Sequence, residues 1–124
     1  MEANISAQLV RNNPEKIYVF GDNLLRRGNA GQAVIRGEPN AFGIPVKRGP
    51  TMAPSAFFSD QPDELQALLQ ALRDLYALSR TSEVIFPAAG LGTGLARMAA
   101  CSPMAYRQMC NILSVHFGIS QGST

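Results

Sequence analysis

Two glycine-rich segments, each directly after a short apolar run, constrain this chain more than any other feature. Residues 21–33 (the first loop) follow the apolar run 17–20, and residues 87–95 (the second loop) follow the apolar run 84–86. Glycine accepts positive φ and lets another molecule approach the backbone closely. A strand, a glycine loop and then a helix aim free N–H groups at one point, where an anion can bind. Two such loops predict a ligand that carries two phosphates with sugars.

The order of apolar patterns predicts one α/β domain over residues 1–124, with a mostly parallel sheet. The unbroken run 17–20 is typical of a strand that is buried on both faces. Pro45 places the second strand at an edge or near a strand end. The predicted strands are 17–20, 41–46 and 83–86, with a short helical segment at 31–36 and long helices at 63–78 and 103–117.

Parallel sheets bind ligands at the carboxyl ends of their strands, and both loops follow such ends. We therefore expect the strands that end at Phe20 and Phe86 to be neighbours or near neighbours, and the two loops to converge on one cleft.

Local signals predict where the long helices begin and end. Asp60 is expected to cap the helix 63–78, and Ser102 the helix 103–117. Gly118 suits the position just past the end of the second helix. The polar tail 120–124 is expected to be frayed.

The composition argues against several classes of protein. A net charge of +2 is too small to indicate nucleic-acid binding by itself. No apolar run approaches the length of a membrane span, and the N-terminus lacks the pattern of a signal peptide, so a cytoplasmic protein is expected. Cys101 and Cys110 with the single His116 supply no metal-ligand pattern, so we predict no metal, no cofactor and two reduced, mostly buried thiols.

The second loop fits no standard nucleotide motif. Gly90, Gly92 and Gly94 match a dinucleotide fingerprint only loosely, because Leu95 stands at the sixth position and no acidic residue follows about 20 residues on. A P-loop is excluded, since the chain lacks Gly-Lys-Ser/Thr. Glycine turns that merely connect elements would also explain one such motif, so it is the presence of two loops that favours a phosphate site.

Both loops resemble those of macrodomains, which bind ADP-ribose. Residues 21–23 with 28–35 look like the family's signature of Asn, a glycine run and Ala-Ile, although Asn29 and Ala30 stand where glycine is usual. Residues 86–96 look like the family's second, phosphate-binding loop, in the form found in the branch that removes ADP-ribose from glutamate or DNA bases. The resemblance implies a macrodomain-like three-layer sandwich, as in bacterial or phage relatives.

The resemblance also implies the residues that contact the ligand. Asn23 is assigned to the distal ribose, and no aspartate for the adenine amino group is identified. The expected partners are ADP-ribose or an ADP-ribosylated protein or DNA, with no membrane and no metal. The implied ligand-binding residues are Gly21, Asp22, Asn23, Gly28, Ala30, Gly31 and Gln32 in the first loop, and Ala89, Gly90, Leu91, Gly92, Thr93, Gly94 and Leu95 in the second.

Lys47 and Asn23 are the candidate catalytic residues. In the hydrolase branch a lysine after the second strand attacks the anomeric carbon, and Lys47 can do so if burial or nearby cations lower its pKa. The branch places an acid just after the second loop, where this chain has Ala96. We therefore expect binding with slow or absent hydrolysis; the alternative for Lys47 is a solvated or phosphate-contacting lysine. Gly92→Glu is expected to abolish binding with little loss of stability.

Two other functions stay open. A basic rim could bind nucleic acid, although no aromatic side chains interleave with it as single-strand binding needs. A structural protein with incidental glycines would have no nucleotide affinity. The rim residues are Arg26, Arg27, Arg36, Lys47 and Arg48.

Overall fold

A three-stranded parallel sheet forms the centre of the domain, with the strand order β2–β1–β3. The computed structural model describes residues 1–121. The strands are β1 (Lys16–Asn23), β2 (Ala41–Lys47) and β3 (Glu83–Ile85). The helices are α1 (Ala7–Asn12), α2 (Pro62–Ser79), α3 (Met98–Cys101) and α4 (Pro103–Phe117), with 3-10 helices at Gly31–Ile35, Pro54–Ala56 and Gly94–Ala96. The predicted α/β class, the strands and both long helices are confirmed.

The central strand β1 is longer than its apolar run. Gly21 and Asp22 pair with Ile44 and Pro45 of β2, although glycine and aspartate are poor strand formers. Pairing with a neighbouring strand therefore outweighs local propensity, and the first loop begins inside the sheet.

The sheet is covered on both faces. Successive side chains of a strand point to opposite faces, so Val19 packs in a core with helices α2 and α4, whereas Tyr18 and Phe20 pack under α1 and the 3-10 helix Gly31–Ile35. All three side chains are buried, as the unbroken apolar run predicted.

Strand β2 lies at one edge of the sheet. Pro45 lies on this edge strand, as predicted, because proline has no N–H to donate to a further strand. At the other side, Glu2 pairs with Pro87 just beyond β3 through Glu2 N–H to Phe86 O (2.9 Å) and Ala88 N–H to Glu2 O (2.9 Å). None of the helices within residues 1–121 has the length and apolar character needed to cross a membrane.

One predicted helix cap, that of Asp60 on helix α2, is wrong. Helix α2 begins after Gln61, whose backbone N–H donates to the Glu64 carboxylate in a capping box. Asp60 instead caps α4, where its carboxylate accepts from the N–H groups of Met104 (3.1 Å) and Ala105 (2.8 Å). The reason is spatial: Asp60 is 44 residues before Met104, and only folding brings them together. Ser102 stands at the N-cap position of α4 as predicted, although its side chain makes no capping bond, and Gly118 ends α4 at φ 67° as predicted.

The end of the chain also differs from expectation. Gln121 is buried rather than frayed, because its side-chain amide binds the backbone of Leu91. Residues 122–124 of the predicted tail lie outside the described residues. Cys101 ends the short helix α3 and is exposed, contrary to the expected burial, and Cys110 is half-buried.

Candidate functional site

The two glycine-rich loops meet at the carboxyl edge of the sheet. Strands β1 and β3 are parallel neighbours, so their carboxyl ends lie on the same side. The last pair between them joins Tyr18 to Ile85, and Gly21 lies beyond it. The Gln32 side chain accepts from the Gly21 N–H (2.8 Å) and donates to the Gly90 carbonyl (2.9 Å). The two loops therefore meet, as predicted, and Gln32 is the residue that joins them. The open cleft beside the first loop is lined by no residue of the second loop, so the expected convergence on one cleft is not borne out there.

Side chains hold the first loop by its carbonyl groups. The buried Asn23 amide donates to Arg27 O (2.8 Å) and accepts from Arg27 N–H (3.4 Å). Arg36 donates to Gly28 O (2.7 Å) and Arg27 O (3.0 Å). Asn23 is thus engaged with its own loop, and its role at a ribose stays a prediction.

Asp22 lies beneath this loop rather than at its surface. Its carboxylate forms an ion pair with Arg36 (2.6 Å) and accepts from the Asn23 N–H (2.7 Å). Gly43 on β2 leaves room for it, since a Cβ there would lie only 2.6 Å from the Asp22 carboxylate oxygen. Asp22, Arg36 and Gly43 therefore act together to support the first loop. The sequence analysis missed Gly43, and no local signal marks it.

The second loop presents free backbone donors. Gly90, Gly92 and Gly94 all have positive φ, at 85°, 75° and 55°. Gly90, Leu91 and Gly92 are buried, while Ala89, Thr93, Gly94 and Leu95 are exposed. The N–H groups of residues 92–95 donate to no acceptor within residues 1–121. Consecutive free N–H groups are suited to binding an anion.

The buried part of the second loop is fixed by its neighbours. Leu91 N–H donates to Gln121 (2.9 Å), which donates back to Leu91 O (2.7 Å). Gly92 faces the core, where an added Cβ would collide with the sulfur of Met98 and lie 3.2 Å from the Met109 methyl group. Gly92→Glu would therefore disrupt the core, and the expectation of little stability loss is wrong. Gly94, in contrast, has no atom within 4 Å of an added Cβ.

Lys47 lies at the carboxyl end of β2, beside the first loop, where its carbonyl accepts from the Leu24 N–H (2.9 Å). Its ammonium group donates to Thr51 O (2.6 Å) and lies 4.7 Å from the ring centroid of Phe57. Burial and the positive charge of Arg97 lower the pKa of Lys47. A lowered pKa is the change that a nucleophilic lysine requires. Attack of Lys47 on a sugar stays a prediction.

Arg97 was missed by the sequence analysis. It is two residues past the second loop, in the left-handed region at φ 50°, and its guanidinium carbon lies 5.8 Å from the Phe57 centroid. Its neighbour Ala96 is buried. One sequence feature could have pointed to Arg97. It directly follows Ala96, and position 96 is where the macrodomain resemblance implies an acid.

Two of the five residues in the predicted basic rim form ion pairs. Arg36 binds Asp22, as described above, and Arg48 binds both Glu64 (2.7 Å) and Asp63 (2.7 Å). Glu64 is fully buried, so the Arg48 side chain balances an internal charge instead of facing a phosphate. Of the arginines in the predicted rim, only Arg26 and Arg27 form no ion pair within residues 1–121, which weakens the nucleic-acid hypothesis.

An open cleft of about 660 Å³ lies beside the first loop. Asp22, Asn23 and Arg26 line one side of it, and β2 and α2 form the rest. The second loop and Lys47 are not part of its lining. A ligand that contacts both loops would therefore extend from this cleft along the carboxyl edge.

The chain matches over residues 1–112 a family model described as a family of unknown function, DUF7831. The chain belongs to this family. No curated protein and no solved structure matches it.

This DUF7831 match includes most of the candidate site. Both loops, Lys47 and Arg97 lie within the matched residues, whereas Gln121, which holds Leu91, lies beyond them.

Proposed function

We propose that this domain binds ADP-ribose or a related nucleotide derivative through its two glycine-rich loops, on a macrodomain-like three-layer sandwich. The observation that carries the proposal is the bridge from Gly21 through Gln32 to Gly90. This bridge holds the two loops together at the carboxyl edge of a parallel sheet, which is where such sheets bind ligands, and so supports one shared site. Helices on both faces of the sheet are compatible with the sandwich.

The second loop is the proposed diphosphate site. Its free N–H groups at residues 92–95 supply donors without any side chain, which suits a phosphate oxygen that approaches the backbone closely. The cleft beside Asp22 and Asn23 is the proposed place for the distal ribose, the sugar that the macrodomain resemblance assigns to Asn23, because it is the space that adjoins the first loop.

We propose binding rather than rapid hydrolysis. Lys47 donates to the Thr51 carbonyl, its charged neighbour is Arg97, and it forms no ion pair with a carboxylate of residues 1–121. Breaking a glycosidic bond needs help for the leaving group as well as attack on the anomeric carbon. The macrodomain resemblance implies an acid at position 96, where this chain has Ala96. We therefore propose that the chain lacks the group that would assist the leaving group.

Calorimetric titration with ADP-ribose tests the proposal, with AMP, NAD and single-stranded DNA as competing ligands. The variants are Gly94→Asp and its uncharged counterpart Gly94→Asn. Both residues tolerate the left-handed conformation at position 94, and space for the side chain is open there. We expect Gly94→Asp to weaken ADP-ribose binding at least about tenfold relative to Gly94→Asn, because a carboxylate repels the diphosphate.

A control variant outside the two loops tests whether the loss of affinity is specific to position 94. Gly118 has the same kind of backbone, with φ 67° and no atom within 4 Å of an added Cβ, but it ends α4. Gly118→Asp should leave the affinity unchanged. Equal affinities for Gly94→Asp and Gly94→Asn, or no ADP-ribose binding by the wild type, would contradict the proposal.

Hydrolysis is tested separately with an ADP-ribosylated protein and an ADP-ribosylated oligonucleotide. We expect ADP-ribose release no faster than in buffer alone. Rapid release that Lys47→Ala abolishes would make the chain an enzyme and refute the binding-only proposal.

A further inference from the structure

Two cations lie against the same aromatic ring at the carboxyl edge of the sheet. The ammonium nitrogen of Lys47 is 4.7 Å from the centroid of Phe57, and the guanidinium carbon of Arg97 is 5.8 Å from it. Phe57 and Lys47 are also backbone partners in an antiparallel bridge. We call Lys47 and Arg97 the cation pair.

The cation pair has no counter-charge within residues 1–121. Three other arginines of the chain, Arg11, Arg36 and Arg48, each form an ion pair with a carboxylate. Lys47 and Arg97 form none, although they are close enough for the charge of Arg97 to lower the pKa of Lys47. Two like charges held together without a carboxylate repel each other, and an anion placed between them removes that repulsion.

Both members of the cation pair keep donors for a ligand. The Lys47 ammonium group has three N–H donors, of which the Thr51 carbonyl takes one and the Met52 sulfur (3.7 Å) a second, weaker one, so one donor is left. Arg97 is exposed, and its guanidinium offers a fork of donors that matches phosphate geometry. Its left-handed backbone, in a residue other than glycine, is the kind of strain that is concentrated at ligand sites.

The position of the cation pair relates it to the proposed diphosphate site. Arg97 follows the second loop by two residues, and its N–H donates to Gly94 O (3.3 Å). Lys47 stands next to the first residues after β1, through its bond from Leu24. A group attached to the far end of a diphosphate on the second loop would reach these two side chains.

We infer that the cation pair is a subsite for a terminal phosphate, so that the preferred ligands carry an anionic group beyond the diphosphate. The inference rests on the proposed function for the place of the diphosphate. A neutral sugar at this end would leave both charges uncompensated, whereas a phosphate accepts from both side chains. Phosphate is the chemical class because it offers three oxygens to donors that come from two directions.

The experiment compares ADP, ATP and ADP-ribose by calorimetry without divalent cations, together with inorganic tripolyphosphate. The variants are Arg97→Gln and, as a matched control, Arg107→Gln, since Arg107 is exposed on α4 and forms no ion pair within residues 1–121. For the wild type we expect ATP to bind about tenfold more tightly than ADP, the gain of one charge-assisted contact. Arg97→Gln should abolish this difference, and Arg107→Gln should retain it.

The outcomes separate the inference from the proposed function. If ADP-ribose binds but ATP binds no more tightly than ADP, or if the advantage of ATP survives in Arg97→Gln, the subsite is refuted and the proposed function stands. If neither ADP-ribose nor ADP binds but tripolyphosphate binds in a way that Arg97→Gln abolishes, the subsite stands and the proposed function is wrong.

Discussion

The first and second loops are both glycine-rich, yet they are held in different ways. In the first loop, Asn23 and Arg36 bind the carbonyls of Arg27 and Gly28. In the second loop, the buried residues are fixed by Gln121 and by packing on Met98. In both loops a run of N–H groups, at residues 28–32 and at residues 92–95, donates to no acceptor within residues 1–121.

The loops therefore differ in what holds them and not in which of them offers free N–H groups, which suit an anion in both. Charged and amide side chains hold the first loop, whereas core packing and Gln121 hold the second. The glycine content alone would have treated the loops as equivalent. Substitutions of the supporting residues should distinguish them.

The largest expected effect concerns the two glycines of the second loop. Gly92→Ala should destabilise the fold by about 2–5 kcal/mol, because a Cβ meets Met98 in the core and the backbone is left-handed. Gly94→Ala should cost only about 1–2 kcal/mol, since it has the backbone term alone. Urea unfolding of both variants measures the difference, and equal losses would show that Gly92 is not anchored in the core.

Removal of the first loop's support should come next. Arg36→Met leaves Asp22 without its ion-pair partner and should cost about 2–4 kcal/mol, near the low end of the range for buried pairs because Arg36 retains some exposure. The double variant with Asp22→Asn should recover part of this loss, since it removes the uncompensated charge. If the double variant is no more stable than Arg36→Met, the ion pair does not support the loop.

The bridge between the loops should have a smaller effect on stability than on binding. Gln32→Glu retains the acceptor for Gly21 but replaces the donor to Gly90 with a carboxylate oxygen, at a cost of about 1–2 kcal/mol. ADP-ribose affinity should fall further than in Gln8→Glu, an exposed control on α1. Thermal unfolding and calorimetry of both variants provide the comparison. An unchanged ADP-ribose affinity in Gln32→Glu would show that binding does not depend on the bridge between the loops.

The smallest expected effect is a pH dependence. Burial and Arg97 lower the pKa of Lys47, and only protonated Lys47 attracts an anion. Affinity for ATP should therefore decline as pH rises, starting at a lower pH than an ordinary lysine would produce. In Arg97→Gln the pKa of Lys47 should move up towards its usual value, which NMR titration of the lysine side chain would detect. An unchanged pKa would show that the charge of Arg97 does not act on Lys47.

Local sequence patterns were sufficient to predict the secondary structure, because the periodicity of a helix or a strand involves residues that are close in the sequence. The leucine spacing that predicted residues 63–78 reflects one buried helix face, and the run 17–20 reflects a strand that is covered on both faces. The loops were located for the same reason, since glycines after a strand mark a turn in the chain itself. Pro45 indicated an edge strand through the missing N–H of a single residue.

The tertiary structure alone decided which side chains serve the site. Asp60 caps a helix that begins 43 residues later, Gln32 reaches Gly90 across 58 positions, and Gln121 holds Leu91 across 30. Arg97 approaches Lys47 only because the chain from β3 returns past the end of β2. Polar side chains form directed hydrogen bonds with groups that the fold brings near, so their partners depend on three-dimensional proximity. The apolar periodicity of helices and strands, in contrast, can be read from residues that are close in the sequence.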